Sequence, residues 1–273
     1  MPSCTKSGII LASTDELSIS KTLDCGQCFR WSRDENGAYT GVAGGRVLRL
    51  WEENDSVFCD APENDLPFWR DYFDLDTDYI SAGAKFTQSD YLKTCAEFGS
   101  GIHILRQDFW EALCSFIVSQ CNNIPRIKKI ISTLCGHFGE NLGEGFYSFP
   151  EASKIAALDE SDLAPLRCGY RAAYILNAAR AVSEGSLCPS MFAELSPEEA
   201  LNELKKIHGI GNKVASCVLL FGLHRMDAFP IDVWMKRALK EHFPRDFDPK
   251  VLGEFAGLAQ QYIFFYARSS DGK

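Results

Sequence analysis

The chain has 273 residues, 46% hydrophobic and 24% charged, with a net charge of −9. That composition excludes a disordered or fibrous protein, and the length suits one large domain or two smaller ones sharing a core. No apolar run approaches the ~20 residues of a membrane helix, and the first thirty residues lack a charged-then-apolar secretory pattern.

Residues 1–86 read as an antiparallel β domain. Cys28-Phe29-Arg30-Trp31, Val47-Leu48-Arg49-Leu50-Trp51 and Val57-Phe58-Cys59 are rich in strand formers. Asn36-Gly37, Gly44-Gly45 and Asn54-Asp55 mark turns between strands. The acids gather here: residues 52–78 carry 10 Asp/Glu against the single Arg70.

From residue 87 onward the pattern turns helical. Asp108 and Glu111 form a capping box before an apolar run ending near Gln120. Pro125 opens the next helix and Gly139 closes it. Arg171 to Glu184 has helical period and stops at Gly185. Ser196, Pro197 and Glu199 make a second box, and Asp248-Pro249 opens a last helix over 249–268. Residues 201–245 hold 8 basic and 4 acidic side chains, and Arg126, Lys128 and Lys129 form a second basic spot. A globally acidic protein can thus focus a local positive potential on an anionic partner. The 11 cysteines run from Cys4 to Cys217 without small-domain spacing, which points to free thiols in a reducing, intracellular setting.

The most informative stretch is Leu204-Lys205-Lys206-Ile207-His208-Gly209-Ile210-Gly211-Asn212-Lys213-Val214-Ala215. One helix ends, a glycine-containing hairpin follows, and a second helix begins at once. Gly209 and Gly211 let the backbone turn tightly and approach another chain, and the exposed amides of such a turn can hold a phosphate. A plain helix–helix connection fits a lone Gly-x-Gly equally. Lys213 stands in the first turn of the second helix, where the macrodipole disfavours a cation and so favours an amine nucleophile. Cys217 follows at i+4 on the same face, so its thiol or thiolate can pair with that lysine. Asp232 is a good N-cap, and capping hydrogen bonds would also keep it anionic and suited to stabilising a developing cation. Most lysines are surface lysines and most caps are only caps.

Gly209-Ile210-Gly211-Asn212-Lys213-Val214-Ala215 followed by Pro230-Ile231-Asp232-Val233 resembles the helix-hairpin-helix (HhH-GPD) DNA glycosylase superfamily, and most nearly its 8-oxoguanine DNA glycosylase branch. Gly26-Gln27-Cys28-Phe29-Arg30-Trp31, Asn122-Asn123-Ile124-Pro125-Arg126, Gly169-Tyr170-Arg171-Ala172 and Ala256-Gly257-Leu258-Ala259-Gln260 fit as well, in the family's order. The resemblance implies an α+β fold. A mainly helical helix-hairpin-helix glycosylase body spans 87–273, its last helix packing back on it, with the N-terminal antiparallel β domain over 1–86.

The same resemblance implies base-excision DNA repair by a bifunctional glycosylase. The lysine at the place of Lys213 attacks C1′ of the damaged nucleoside and forms a Schiff base. The aspartate at the place of Asp232 stabilises the cationic sugar, and β-elimination then nicks the strand. The base must first be flipped out of the duplex. Tyr170 is similar to the family's wedge between bases, and Arg126 with Arg171 to the pair that reads the orphaned cytosine. Asn123, Gly209, Gly211 and Trp234 complete the implied DNA contacts. Gly26 matches the residue whose carbonyl tests for the N7 hydrogen of 8-oxoguanine, Cys217 and Phe264 the sandwich around the base, and Gln260 its edge-reading partner. The carbonyls of Lys205, Ile207 and Ile210 stand where the family binds a structural cation bridging to phosphate; a monovalent ion or calcium suits such oxygens. No other cofactor is implied. The expected partner is double-stranded DNA containing 8-oxoguanine, met by a monomer in the cytoplasm or nucleoid, away from any membrane.

Departures from the pattern are informative. Gln120-Cys121-Asn122-Asn123 replaces the branch's three consecutive asparagines, which loosens the expected selectivity for the opposite base. His208 replaces a common proline. Trp234 replaces the histidine usual in eukaryotic relatives, which points to a bacterial or archaeal type. Cys25-Gly26-Gln27-Cys28 is a C-x-x-C, but it lacks the βαβ setting of a redox motif and a second ligand pair for zinc. An iron–sulfur cluster is excluded because no cysteine follows Cys217. The remaining readings are a monofunctional alkyl- or oxidised-base glycosylase, and a non-catalytic helix-hairpin-helix DNA-binding protein, which would need neither Lys213 nor Asp232.

Overall fold

The computed structural model describes residues 8–270. Cys4 and the outermost ends of the two expected domains lie outside the described residues. The chain begins with β1 (Ile9–Ser13), α1 (Ile19–Asp24), β2 (Trp31–Arg33), β3 (Tyr39–Ala43), β4 (Arg46–Glu53) and β5 (Ser56–Cys59). The strands form one antiparallel sheet in the order β1-β5-β4-β3-β2. Ala43 pairs with Arg46 and Glu53 with Ser56, so both loops are two residues long. Gly44, Gly45, Asn54 and Asp55 all have positive φ, the conformation in which a two-residue turn matches the twist of its strands. All three sequence-marked turns fall between strands. Leu48 and Leu50 point inward with exposed Arg49 between them. They cover an aromatic cluster of Trp31, Trp69, Tyr72 and Phe73, in which Trp31 Nε1 donates to the Tyr72 hydroxyl at 3.0 Å.

Two sequence expectations change here. Cys28-Phe29-Arg30 is not strand; only Trp31 of that stretch enters β2. The chain turns at Gly26 with φ 85°, then sends Cys28 into the sheet's core and Phe29 into the helical one, which a paired strand at that place would not do. Helix also starts well before residue 87, because α1, α2 (Leu66–Tyr72) and α3 (Tyr79–Ala84) precede it. In α2 the aromatic residues Phe68, Trp69 and Tyr72 read locally as strand formers, but their burial against the sheet decides the outcome.

The helical part continues with α4 (Asp90–Gly99), α5 (Phe109–Val118), α6 (Ile124–Phe138), a small ribbon of β6 (Asn141–Gly143) and β7 (Phe146–Tyr147), α7 (Ala152–Ala156), α8 (Arg171–Ser183), α9 (Pro197–Lys205), α10 (Asn212–Gly222), α11 (Val233–His242) and α12 (Ala256–Ser270). Apart from Glu111, every residue of α5 is buried, as befits a central helix. Phe116 of α5 stacks on Phe221 of α10 with ring centroids 5.2 Å apart. The Ser196–Glu199 capping box is complete, but the one expected at Asp108 is only half made. Asp108 accepts from Glu111 N at 2.8 Å, while the Glu111 carboxylate turns to Arg30 at 3.2 Å. Though not fully enclosed, the Glu111 carboxyl loses most of its solvent, which pushes it up to about 7 against the attraction of Arg30. The last helix also begins later than expected: Pro249–Phe255 is a 3-10 segment broken at Gly253 (φ 72°, ψ −152°), and regular helix starts at Ala256.

A buried polar knot joins sheet and helices. Asp74 accepts from Tyr79 OH at 2.7 Å and Arg106 Nε at 2.8 Å, and its carboxylate lies 3.3 Å from His224 Nε2, which also meets the Ile104 carbonyl at 3.0 Å. Burial alone would raise the Asp74 carboxyl, but hydrogen bonds from His224 and Tyr79 outweigh it and hold the group well below the usual carboxylate range. Its stabilising share is therefore complete above the unfolded-state value of about 3.9 and is lost as pH falls below it toward the folded value. Asp74→Asn is expected to cost about 2–3 kcal/mol at neutral pH. In urea melts at pH 7, 5 and 3, that gap to the parent should hold between the first two and narrow at the third.

Candidate active site

The hairpin between α9 and α10 sets the site. Gly209 has φ 96°, and a Cβ there would collide with the ring of Tyr174, so this turn admits only glycine. Gly211 differs from the sequence reading. It is the N-cap of α10 with φ −96°, and a side chain there would meet open space. The fold does not require its lack of a side chain; what that lack provides is bare backbone at a helix start. Gln120 Nε2 donates to the Gly209 carbonyl at 3.2 Å and ties the hairpin to the end of α5.

Lys213, the second residue of α10, is half-buried. Its Nζ donates to Ser119 Oγ at 2.8 Å and lies 5.4 Å from the centre of the Phe116 ring. One turn on, Cys217 is buried. Burial raises its pKa above the ordinary value although the Lys213 charge opposes this, so at neutral pH it is a thiol, not the thiolate that the sequence also allowed. Asp232 caps α11 as expected, accepting from Met235 N at 2.9 Å.

Gly26, Lys213, Cys217, Asp232, Gln260 and Phe264 line one small cavity together with Phe116, Phe221, Pro230 and Gln261. All six residues that the sequence assigned to catalysis and base recognition thus meet in one place, from segments more than 200 positions apart. The cavity holds about 50 Å³, room for one or two waters. A purine is larger than this volume, so its entry requires the lining to open. Larger clefts of about 560 and 520 Å³, around Pro189–Arg225 and Asp108–Ala152, border neither Lys213 nor Asp232.

The expected DNA-contacting residues lie outside this cavity. Tyr170 is 52% exposed at the start of α8, with the Arg171 guanidinium 4.5 Å from its ring. Arg126 is exposed and reaches the Arg167 carbonyl at 3.3 Å. Arg171, which the resemblance pairs with Arg126 at the orphaned cytosine, is not free in solvent. It is instead 6% exposed and spends its donors on the carbonyls of Gln120, Cys121 and Cys168. Asn123 caps α6, accepting from Arg126 N at 3.0 Å. Trp234 is half-buried with the Arg237 guanidinium 5.4 Å from its ring. Sequence reasoning missed Ser119, the acceptor of the Lys213 amine, whose only signal was its place just before Gln120-Cys121-Asn122-Asn123. It also missed exposed Val233 and Ile231 beside Asp232.

Cys25 and Cys28 lie in the interior with free thiols. Both are fully buried thiols that burial pushes up, Cys25 to about 11, and Cys25 Sγ donates to the Thr22 carbonyl at 3.1 Å. Among the described residues no group of three His, Cys, Asp or Glu is placed to hold a metal ion.

Residues 114–252 match the family described as HhH-GPD superfamily base excision DNA repair protein, and residues 9–113 match the 8-oxoguanine DNA glycosylase N-terminal domain. The chain belongs to the HhH-GPD superfamily of base excision DNA repair proteins. It is 32% identical to the N-glycosylase/DNA lyase of Saccharomyces cerevisiae, with 87% of this chain and 71% of that protein covered. The solved structure of MBOgg1 in complex with a low affinity DNA ligand superposes with a TM-score of 0.88 at 41% identity, covering 95% of this chain and 94% of that one. The Clostridium acetobutylicum 8-oxoguanine glycosylase/lyase, in complex with double-stranded DNA containing cytosine opposite 8-oxoG, gives 0.86 at 35% identity, covering 94% and 93%. Within the superfamily the chain falls in the 8-oxoguanine DNA glycosylase branch.

The two hairpin glycines separate folding from binding. Gly209→Ala is expected to cost about 1–3 kcal/mol of stability through its φ and the Tyr174 clash. Gly211→Ala should melt within about 0.5 kcal/mol of the parent yet bind duplex DNA more weakly in a fluorescence-anisotropy titration.

Proposed function

We propose that this protein removes 8-oxoguanine from duplex DNA and cuts the strand at the resulting site, with Lys213 as nucleophile and Asp232 as its charged partner. The observation that carries this reading is the convergence of a half-buried amine, a capping carboxylate and Gly26, Cys217, Gln260 and Phe264 on one cavity.

Duplex DNA docks its backbone on the bare amides at Gly211 and the start of α10. The damaged nucleotide swings out at a cost of a few kcal/mol in unstacking. Tyr170, exposed at its helix start, fills the gap, and Arg126 with Asn123 serves the cytosine left behind, while Arg171, its guanidinium held by the carbonyls of Gln120, Cys121 and Cys168, braces the loop that carries Asn123. Trp234 lies along the backbone beside Asp232. In the cavity the base is sandwiched between the Cys217 thiol and the Phe264 ring, Gln260 faces its Watson–Crick edge, and the Gly26 carbonyl accepts from N7–H, which guanine lacks. The Lys213 amine, its proton passed to solvent or to the departing base, bonds to C1′ as the C1′–N9 bond breaks. Asp232 stabilises the positive charge that builds on the sugar. Loss of the ring oxygen's bond to C1′ leaves a Schiff base. Removal of a C2′ proton then expels the 3′ phosphate, and water releases the lysine.

The hairpin carbonyls of Lys205, Ile207 and Ile210 fit an ion only weakly charged for its size. Residues 205–211 contain no acid, and the Ile207 carbonyl already accepts from Ile210 N at 3.1 Å. Potassium or sodium, completed by a DNA phosphate, suits that donor set better than calcium does. The reaction itself needs no cofactor. The ten described cysteines are all free and no described helix is long and apolar enough to cross a membrane; both features suit a reducing compartment that holds DNA.

Borohydride trapping on duplexes with one 8-oxoguanine opposite each of the four bases tests the reading. A covalent adduct on the lesion duplex, absent with undamaged guanine, is expected. Lys213→Gln should abolish the adduct while retaining lesion binding; normal trapping by that variant would remove Lys213 as nucleophile. Base release without any adduct would point to monofunctional excision. In the same assay Arg126→Ala should flatten the preference for cytosine by about tenfold, the worth of one bidentate contact.

A further inference from the structure

Three buried side-chain atoms have no hydrogen-bond partner among the described residues: Trp69 Nε1 in the sheet's core, Gln260 Oε1 and Arg268 Nη1. The last two flank the cavity. Gln260 lines it, and Arg268 lies eight residues further along α12, four beyond Phe264, so the three share one helix face. Arg268 Nη2 donates to the Asp24 carbonyl at 2.7 Å, which fixes the guanidinium fork. Its Nη1 lies 3.4 Å from the point where a Cβ on Gly26 would stand, next to the edge of the Phe264 ring. The guanidinium lies against the Phe264 ring, its carbon 5.6 Å from the ring centre, and that ring lines the cavity while Arg268 does not. An unpartnered buried guanidinium N–H is costly, and a ligand atom that pairs with it removes the cost.

The purine's own layout says which atom that is. Next to N7 an 8-oxopurine carries two exocyclic positions. O8 lies between N7 and the glycosidic bond, on the side of Lys213. Position 6 lies between N7 and the Watson–Crick edge, on the far side of N7 from Lys213, and Arg268 Nη1 is the donor atom beside Gly26. Resting on the base-pocket reading above, we propose that Arg268 is a specificity-determining residue whose Nη1 donates to O6 of the flipped base and so selects 6-oxo over 6-amino purines. A 6-amino group would set its own N–H bonds against the guanidinium and leave both sides unpaired, the arrangement by which sites built on hydrogen bonds reject analogues most strongly.

The test measures single-turnover excision of 8-oxoguanine and of 8-oxoadenine, each opposite cytosine, by the parent and by Arg268→Met. Both bases carry O8 and N7–H, and they differ at position 6, at N1 and at the 2-amino group that 8-oxoadenine lacks. The share of discrimination owed to Gln260 at N1 and position 2 persists in both proteins, so a change in the ratio belongs to Arg268. The ratio is expected to fall by about tenfold or more in Arg268→Met, with the 8-oxoadenine rate held or raised. A merely structural role would lower both rates together, and an unchanged ratio overturns the proposal. Should Arg268→Met fail to fold by circular dichroism, Arg268→Lys carries the test. A single ammonium cannot serve both Asp24 and the base, so its ratio must drop by about threefold or more, and the parent ratio in that variant overturns the assignment. A parent that releases no 8-oxoguanine at all overturns the base-pocket reading and this inference with it, whereas an active parent with an unaltered variant ratio overturns only the role of Arg268.

Discussion

The cavity depends on one buried hydrogen bond, from Gln261 Nε2 on α12 to the Cys25 carbonyl at 2.9 Å, which joins residues 236 positions apart. It docks the loop after α1 on the last helix, and neither segment builds the site alone. Gln27 locks the other side of the same loop. Its amide nitrogen donates to the carbonyls of Thr22 and His103 at 2.9 and 2.8 Å, and its oxygen accepts from Leu105 N at 2.9 Å. A fully satisfied buried amide of this kind specifies one arrangement, because any other leaves polar groups unpaired in the interior. Gly26 sits between these two anchors. Its position opposite Lys213 is thus a property of the whole tertiary structure, not of the loop's own sequence.

An acidic protein that handles DNA must keep its charges apart. The 52–78 segment is dense in acids, and several are paired locally, as in Arg46–Asp65, Arg70–Asp76 and Arg106–Asp71. Exposed pairs of that sort add little stability, but they soften the field that a run of free carboxylates would spread. The hairpin and its neighbours show the opposite balance, with Lys205, Lys206, Lys236 and Arg126 exposed. With a screening length of about 8 Å at physiological salt, a phosphate near α10 responds to these cations and hardly at all to charges on distant parts of the chain. The net charge of −9 therefore says little about affinity for DNA, and the segregation of charge says much more.

The site was more legible in the sequence than the fold around it. Lys213, Cys217 and Asp232 stand in motifs whose spacing alone gives a helix start, an i+4 neighbour and a cap, and the structure keeps all three relations. The two-residue turns were legible for the same reason, since Gly44-Gly45 and Asn54-Asp55 are local conformational choices. What the sequence hid is whatever tertiary packing decides. The aromatic residues of α2 look like strand until the sheet they cover is known, and the Glu111 carboxylate looks like half of a capping box until Arg30 arrives from another part of the chain. Arg171 shows the same limit within the site. Its place in the motif was readable, but its burial against three carbonyls was not.

Those carbonyls reveal how two halves of the reaction surface are linked. Ser119 accepts the Lys213 amine and donates to the Phe116 carbonyl at 2.8 Å. The next residue, Gln120, offers its carbonyl to Arg171 and its side chain to Gly209. Cys121 then adopts φ 47°, a left-handed conformation that asparagine tolerates better than cysteine does. Asn123 starts α6 two residues later. Five consecutive positions thus hold the proposed nucleophile, the hairpin, the start of α8 and the residues proposed to face the opposite strand. A shift in this loop would be felt at Ser119, and through it at the Lys213 amine, and equally at Arg171 and Asn123. The proposed reading of the opposite base and the proposed chemistry at the lesion thus share one short piece of backbone, with Cys121 at its centre.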